Sequence, residues 1–158
     1  MINNKKNNFN PIPYFIICSI TAICLDFLLT DAILANHIYQ DFKIFDIVFI
    51  KNTGAAFSFF ENYTLPLIIF SVITLCFILY ELFKDIHKYS LMTYFFSSIL
   101  SSGIICNMYE RITLGYVRDF IRIKYLNLPI FNISDILINF AVLAIIFLVI
   151  TKRYRKND

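Results

Sequence analysis

Residues 125–156 read YLNLPIFNISDILINFAVLAIIFLVITKRYRK. From Asn132 to Ile150 almost every residue is apolar, with Asp135 at the entrance and Lys152, Arg153, Arg155 and Lys156 closing the run. A helix crosses a hydrocarbon core of about 30 Å with roughly 17 to 25 residues at about 1.5 Å each, so this segment is predicted to span a membrane. A carboxylate at the mouth of such a run is costly in hydrocarbon, and Asp135 therefore needs a reason.

Three more segments have the same character: Pro13 to Leu29, Thr64 to Phe83 and Tyr89 to Cys106. The chain of 158 residues is 59% hydrophobic and 16% charged, far more apolar than a soluble domain. The four runs are apolar on consecutive residues, which excludes the alternating pattern of a membrane β-barrel. The expected fold is an all-α polytopic membrane protein, one domain over 1–158. Its four helices are expected near 13–29, 64–83, 89–106 and 132–150, and its outer loops, 30–63 and 107–131, carry a small loop or strand region.

Cys18, Cys24, Cys76 and Cys106 all fall inside the apolar runs, so they read as small buried hydrophobes rather than a disulfide framework. They show no metal-ligand spacing, and His37 and His87 are isolated; no metal, cofactor or nucleic-acid partner is expected. Lys5 and Lys6 before PIPYFIICSITAIC imitate a signal peptide. No A-x-A site follows, the run continues past Asp26, and neither Cys18 nor Cys24 has a leucine three residues upstream, so an uncleaved first helix is expected.

Basic residues crowd the short flanks: Lys5 and Lys6, Lys84 and Lys88, and the four after Ile150. By the positive-inside rule these places share the cytoplasmic side, with both termini inside and the long loops outside. Lys43, Lys51, Arg111, Arg118, Arg122 and Lys124 are spread through those loops. Polar groups then gather at the outer face: Asp26 near the end of the first helix, Asn52 in the first loop, Asn107, Glu110 and Arg111 at the end of the third, and Asp135. Any one could be a cap or an interfacial charge, and a carboxylate suits a helix N-terminus; together they read as a site.

Three stretches carry the chemistry. KNTGAAFSFF (Lys51 to Phe60) combines an amide, Gly54 and small residues, and reads as a turn or strand that lets another backbone come close. CNMYERITLGYVRDFI (Cys106 to Ile121) sets Asn107, Glu110 and Arg111 on one face of a helical turn before Gly115 frees the chain and Asp119 follows. Here Glu110 is expected to be a structural partner of Arg111 and neighbouring loop groups rather than a catalyst. FNISD places Asn132 and Asp135 three residues apart. Two aspartates meeting in a partly dry site cannot both ionise easily; the pair holds one proton and can activate water against an amide carbonyl.

The ordered set N-T-G-A-A-F-S, N-x-x-[D/E]-R, V-x-D-F and F-N-x-x-D, on four helices, resembles the lipoprotein signal peptidases, or signal peptidase II family, over nearly the whole chain. The resemblance implies an intramembrane aspartyl endopeptidase of the bacterial inner membrane, cutting signal peptides from prolipoproteins just before a diacylglyceryl-modified cysteine. It implies Asp119 and Asp135 as catalytic, with Asp26, Asn52, Gly54, Asn107, Arg111 and Asn132 in support; Glu110 is added to the supporting set from its place beside Arg111. Expected partners are lipidated prolipoproteins and membrane lipids, with the chain monomeric. The chain departs from the family pattern at Phe27 and Thr30, where D-Q-x-x-K would place glutamine and lysine, and at Cys106, Glu110 and Ser134; Arg118 beside Asp119 is also unusual. The alternatives are an inactive paralogue that binds lipidated segments, against which both aspartates argue, and a small transporter or scaffold, which would need polar groups near the midplane, where the second and fourth helices offer only small hydroxyls and Asn139.

Overall fold

The computed structural model describes residues 9–35, 41–54 and 63–155. Lys5, Lys6, His37, Lys156 and residues 55–60 of the KNTGAAFSFF stretch lie outside the described residues. Four helices, α1 (Pro11–Ala35), α2 (Thr64–Phe83), α3 (Leu91–Leu114) and α4 (Ile133–Ile150), are each long and apolar enough to cross a membrane. Within hydrocarbon only a helix or a closed barrel satisfies every backbone N–H and C=O, which is why these runs are helical from end to end.

Two boundaries differ from the sequence expectation by more than two residues. α1 runs to Ala35 rather than Leu29, and α3 runs to Leu114 rather than Cys106, so 30–35 and 107–114 are helix and not loop. Hydropathy falls at both places, but side-chain bonds to other elements continue past it: Asp31 and Glu110 accept from Arg118, and Asn107 donates to Asp135. α3 stops at Gly115, whose backbone turns left-handed at φ 80° while its N–H closes on the Arg111 carbonyl at 3.2 Å. Glycine takes that conformation without the Cβ penalty, and the chain reverses.

The reversal feeds β2 (Val117–Ile123), which pairs antiparallel with β1 (Phe45–Asn52), from Phe45 opposite Ile123 to Asn52 opposite Val117. The register slips between Ile47 and Ile50. On its other edge β2 meets the returning chain: Phe120 and Ile121 donate to the Phe131 carbonyl, and the Phe131 N–H donates to the Ile121 carbonyl. The next residue, Asn132, caps α4.

α3 is the central helix and packs on α1, α2 and α4. Its buried face is made of small residues, Ser97, Ser98, Ser101, Ser102 and Gly103. Small side chains let helix backbones approach, the main source of helix association where lipid is as apolar as leucine. Ser102 uses the approach on one side, its hydroxyl donating to the Ser19 carbonyl of α1 at 3.1 Å. On the other side Gly103 lies so close to α4 that a Cβ there would sit 2.7 Å from the Ser134 carbonyl oxygen and 2.8 Å from Ile138 Cγ1.

The far end is closed by Phe15, Leu82 and Tyr94, with the Tyr94 hydroxyl donating to the Leu82 and Ile86 carbonyls. There the chain after α4 is strapped across the α2–α3 turn: the Tyr154 carbonyl accepts from the Ser90 N–H and the Thr93 hydroxyl. The start of α1, the α2–α3 turn and the end of α4 therefore share one end of the bundle, opposite the sheet.

Candidate active site

Asn132 organises the site. As the N-cap of α4, its side-chain oxygen accepts the Asp135 N–H at 2.8 Å while the Asp135 carboxylate accepts the Asn132 N–H at 3.2 Å, a reciprocal capping box. The ordinary reason for an aspartate at a helix entrance thus holds for Asp135. It is not the whole reason, because the other face of the same group looks into a polar network.

Asn132 Nδ2 donates to Asp119 Oδ1 and to Asn107 Oδ1, each at 3.0 Å. Asn107 Nδ2 in turn donates to Asp135 Oδ1 at 2.9 Å, and Asn52 Nδ2 donates to Asp119 Oδ2 at 2.8 Å. Each of the four carboxylate oxygens accepts one N–H from an asparagine. Three asparagines, from β1, α3 and the α4 cap, therefore fix both aspartates, while Asp119 itself rides on β2. Neutral amides orient a carboxylate without neutralising it, so the pair keeps its freedom to exchange a proton.

Arg111 supplies the nearby cation. Its guanidinium donates to the Gly54 carbonyl at 2.9 Å and to its own helix at the Asn107 carbonyl at 3.3 Å. Gly54 returns to Asn52 through its N–H at 2.9 Å, so Arg111 steadies the loop that aims Asn52 at Asp119. Asp119 is buried, 2% exposed. Burial pushes its carboxyl up to about 7, the charge of Asp135 adds to the push, and Asn52, Arg111 and Asn132 pull it back. A carboxyl that titrates near neutrality can both give and take a proton at working pH.

Of the residues singled out from the sequence, Asp119, Asp135, Asn52, Gly54, Asn107, Arg111 and Asn132 form this one network. Asp26 does not join it. It is buried one layer away, accepting the Ser134 hydroxyl at 2.8 Å and facing the Cys106 thiol, so two of the departures from the family pattern, Cys106 and Ser134, line the same carboxylate. A third, Phe27, meets the Tyr109 ring edge-on at 5.2 Å, and Thr30 is buried.

Glu110 is also elsewhere, and of the partners expected for it, Arg111 and neighbouring loop groups, it is a loop group that takes the hydrogen bonds. Its hydrogen bonds go to Arg118, not Arg111: the Arg118 backbone N–H donates to Oε2 at 2.7 Å and Nε to Oε1 at 2.6 Å. Arg111 lies next to Glu110 in sequence, but consecutive helix positions point about 100° apart, and the Gly115 turn brings Arg118 back instead. Sequence reasoning also passed over Gly103, whose only signal was its place in a run of serines. Among the described residues no group of three or more His, Cys, Asp or Glu is placed to hold a metal ion.

Residues 17–151 match the model of the family described as signal peptidase (SPase) II. A lipoprotein signal peptidase of Caldicellulosiruptor bescii is 36% identical over 110 residues, covering 68% of each chain. One from Enterococcus faecalis is 33% identical over 109 residues, covering 68% of this chain and 67% of its own. Among solved structures, a bacterial membrane enzyme determined by the in meso method at 2.3 Å superposes with a TM-score of 0.78 at 26% identity, over 89% of both chains.

Proposed function

The chain belongs to the signal peptidase II family and is a membrane peptidase; from that premise we propose that it is an aspartic endopeptidase, with Asp119 and Asp135 as its catalytic pair. Its substrates are prolipoproteins carrying a diacylglyceryl-modified cysteine, cut just before that residue. The observation that carries the reading is the pair of carboxylates held by Asn132 at the sheet end of the bundle. In this reading the two buried carboxyls hold one proton between them, and the reaction starts with that proton on Asp119. Asp135 then takes a proton from water as the water oxygen attacks the scissile carbonyl. Asp119 gives its proton to the developing oxyanion, forming a gem-diol; as the C–N bond breaks, Asp135 passes its proton to the departing nitrogen and Asp119 takes one back from a gem-diol hydroxyl, leaving the carboxylic acid and the amine and restoring the pair. The scheme uses the groups of this chain and one water.

The site lies where α3 and α4 leave the bundle, and the scissile bond of a lipid-anchored substrate lies at the same depth, which answers the question Asp135 raised. Asn52, Gly54, Asn107, Arg111 and Asn132 support the pair, while Asp26 and Glu110 support the elements beneath it. In this reading the chain is a single membrane-embedded domain, monomeric, lying among lipids in the bacterial inner membrane. The direct test incubates the purified protein with a diacylglyceryl-modified prolipoprotein and with the unmodified form. Cleavage of the first alone is expected, and cleavage of neither sinks the reading.

Orientation follows from charge. Lys84, Lys88, Lys152, Arg153 and Arg155 gather at the end opposite the site, so that end and both termini face the cytoplasm and the site faces outward. In a chain with its four cysteines replaced, Lys51→Cys reacts with a membrane-impermeant maleimide applied to intact spheroplasts, and Arg155→Cys reacts only after lysis. Labelling of both from the same side would reverse the assignment.

A further inference from the structure

Asp119 is the one catalytic carboxylate carried by a strand rather than a helix, and β2 belongs to a sheet of two strands. A pair of strands is marginally stable alone, so something outside the sheet must fix it. β1 covers one edge of β2. On the other edge, Phe120 and Ile121 donate to the Phe131 carbonyl, and on the near side of Asp119 the Arg118 N–H donates to Glu110. The Glu110 side chain thus takes the place of a strand partner for a single residue, and Asp119 sits between the two anchors.

The second hydrogen bond of that anchor is ionic. Arg118 Nε donates to Glu110 Oε1 at 2.6 Å, and the remaining arm reaches Asp31 of α1 at 2.9 Å. Glu110 is buried, so its carboxylate needs a cation within reach; Asp31 is largely exposed and contributes little. The result is a tie from β2 to the last turn of α3, the same helix that supplies Asn107 to Asp135.

We propose that Arg118 is a positioning residue, paired with Glu110, that sets where Asp119 stands relative to Asp135. It touches neither the substrate nor the reacting atoms and acts only through its neighbour. The inference rests on Asp119 and Asp135 being the catalytic pair.

The test compares Arg118→Gln, Glu110→Gln, the double variant and Arg118→Lys. Steady-state cleavage of a lipidated prolipoprotein is measured in each, at a temperature where all are folded. A full ångström of misplacement costs about 100-fold, so a loosened anchor is expected to lower kcat by about tenfold and leave KM within about twofold. The double variant should be no worse than the poorer single one, because both break the same tie. Arg118→Lys should recover part of kcat, and Asp31→Asn should leave it unchanged. Hydrogen exchange in β2 should rise in Arg118→Gln while that of α2 stays the same. A purely structural salt bridge would lower the melting temperature without touching kcat; that result, or losses that multiply in the double variant, would overturn the proposal. Should the wild-type protein fail to cut at all, the catalytic reading falls on its own, and unchanged β2 exchange in Arg118→Gln would then separately dismiss the tie.

Discussion

Asp119→Asn and Asp135→Asn each abolish cleavage of a lipidated prolipoprotein, with kcat falling by about 10,000-fold or more, and the double variant is hardly worse than either. An amide can neither take a proton from water nor lend one to an oxyanion, whereas it can replace a carboxylate in volume. Both variants are therefore expected to insert and to bind substrate, as measured by pull-down of the lipidated precursor. The pH profile of the intact enzyme is bell-shaped, with limits belonging to the pair. If either single variant keeps near-normal turnover, the aspartic mechanism is wrong.

The same substitution separates activity from stability. Asp119 has an ordinary value of 3.8 and is raised to about 7 in the folded protein. Between those values the folded chain keeps a proton that the unfolded chain has released, so stability falls as pH rises through that window and levels off above it. Asp119→Asn removes the titration. Its melting temperature should stand above wild type at pH 8, by roughly 2–4 °C for each kcal/mol recovered, while the two converge below pH 4. A wild-type melting temperature that climbs from pH 4 to pH 7 as steeply as that of the variant would show that burial does not raise Asp119.

Gly103→Ala is expected to have the next largest effect. The added methyl would stand 2.7 Å from the Ser134 carbonyl oxygen, a backbone atom with no rotamer to escape into. α4 must move away from α3, and the residue after Ser134 is Asp135, whose partner Asn107 stays on α3. An ångström of separation between them costs about 100-fold in kcat/KM. Overpacking of this kind also destabilises by about 1–3 kcal/mol. Gly103→Val, which adds two more carbons, should fail to reach the folded state. The measurement is turnover together with thermal melting in detergent, and a Gly103→Ala enzyme of wild-type rate and stability would show that the contact is slack.

The four helices were legible because hydropathy and length are properties of the chain itself, and α2, which buries little, matches its sequence boundaries residue for residue. That Asp119 and Asp135 share one polar network was legible from the ordered motifs V-x-D-F and F-N-x-x-D. The partners of Glu110 and Asp26 were not. Glu110 finds Arg118 only because Gly115 reverses the chain, and Asp26 finds Ser134 across 108 positions of sequence. Hydropathy also ends α3 too early, since it scores Asn107, Glu110 and Arg111 as polar without knowing that each finds hydrogen-bond partners inside the protein.

The cap on α4 has a consequence for how the enzyme comes into being. Asn132 both starts the last helix and holds Asp119, and Asp135 is the third residue after it. During synthesis, three helices can enter the bilayer, with both strands left at its surface, while the proposed proteolytic centre is still incomplete. Only when the final span enters, and its first turn closes on Asn132, do the two carboxylates meet. On the proposed catalytic reading, activity therefore waits for α4 and arrives in one step with the closing of its first turn.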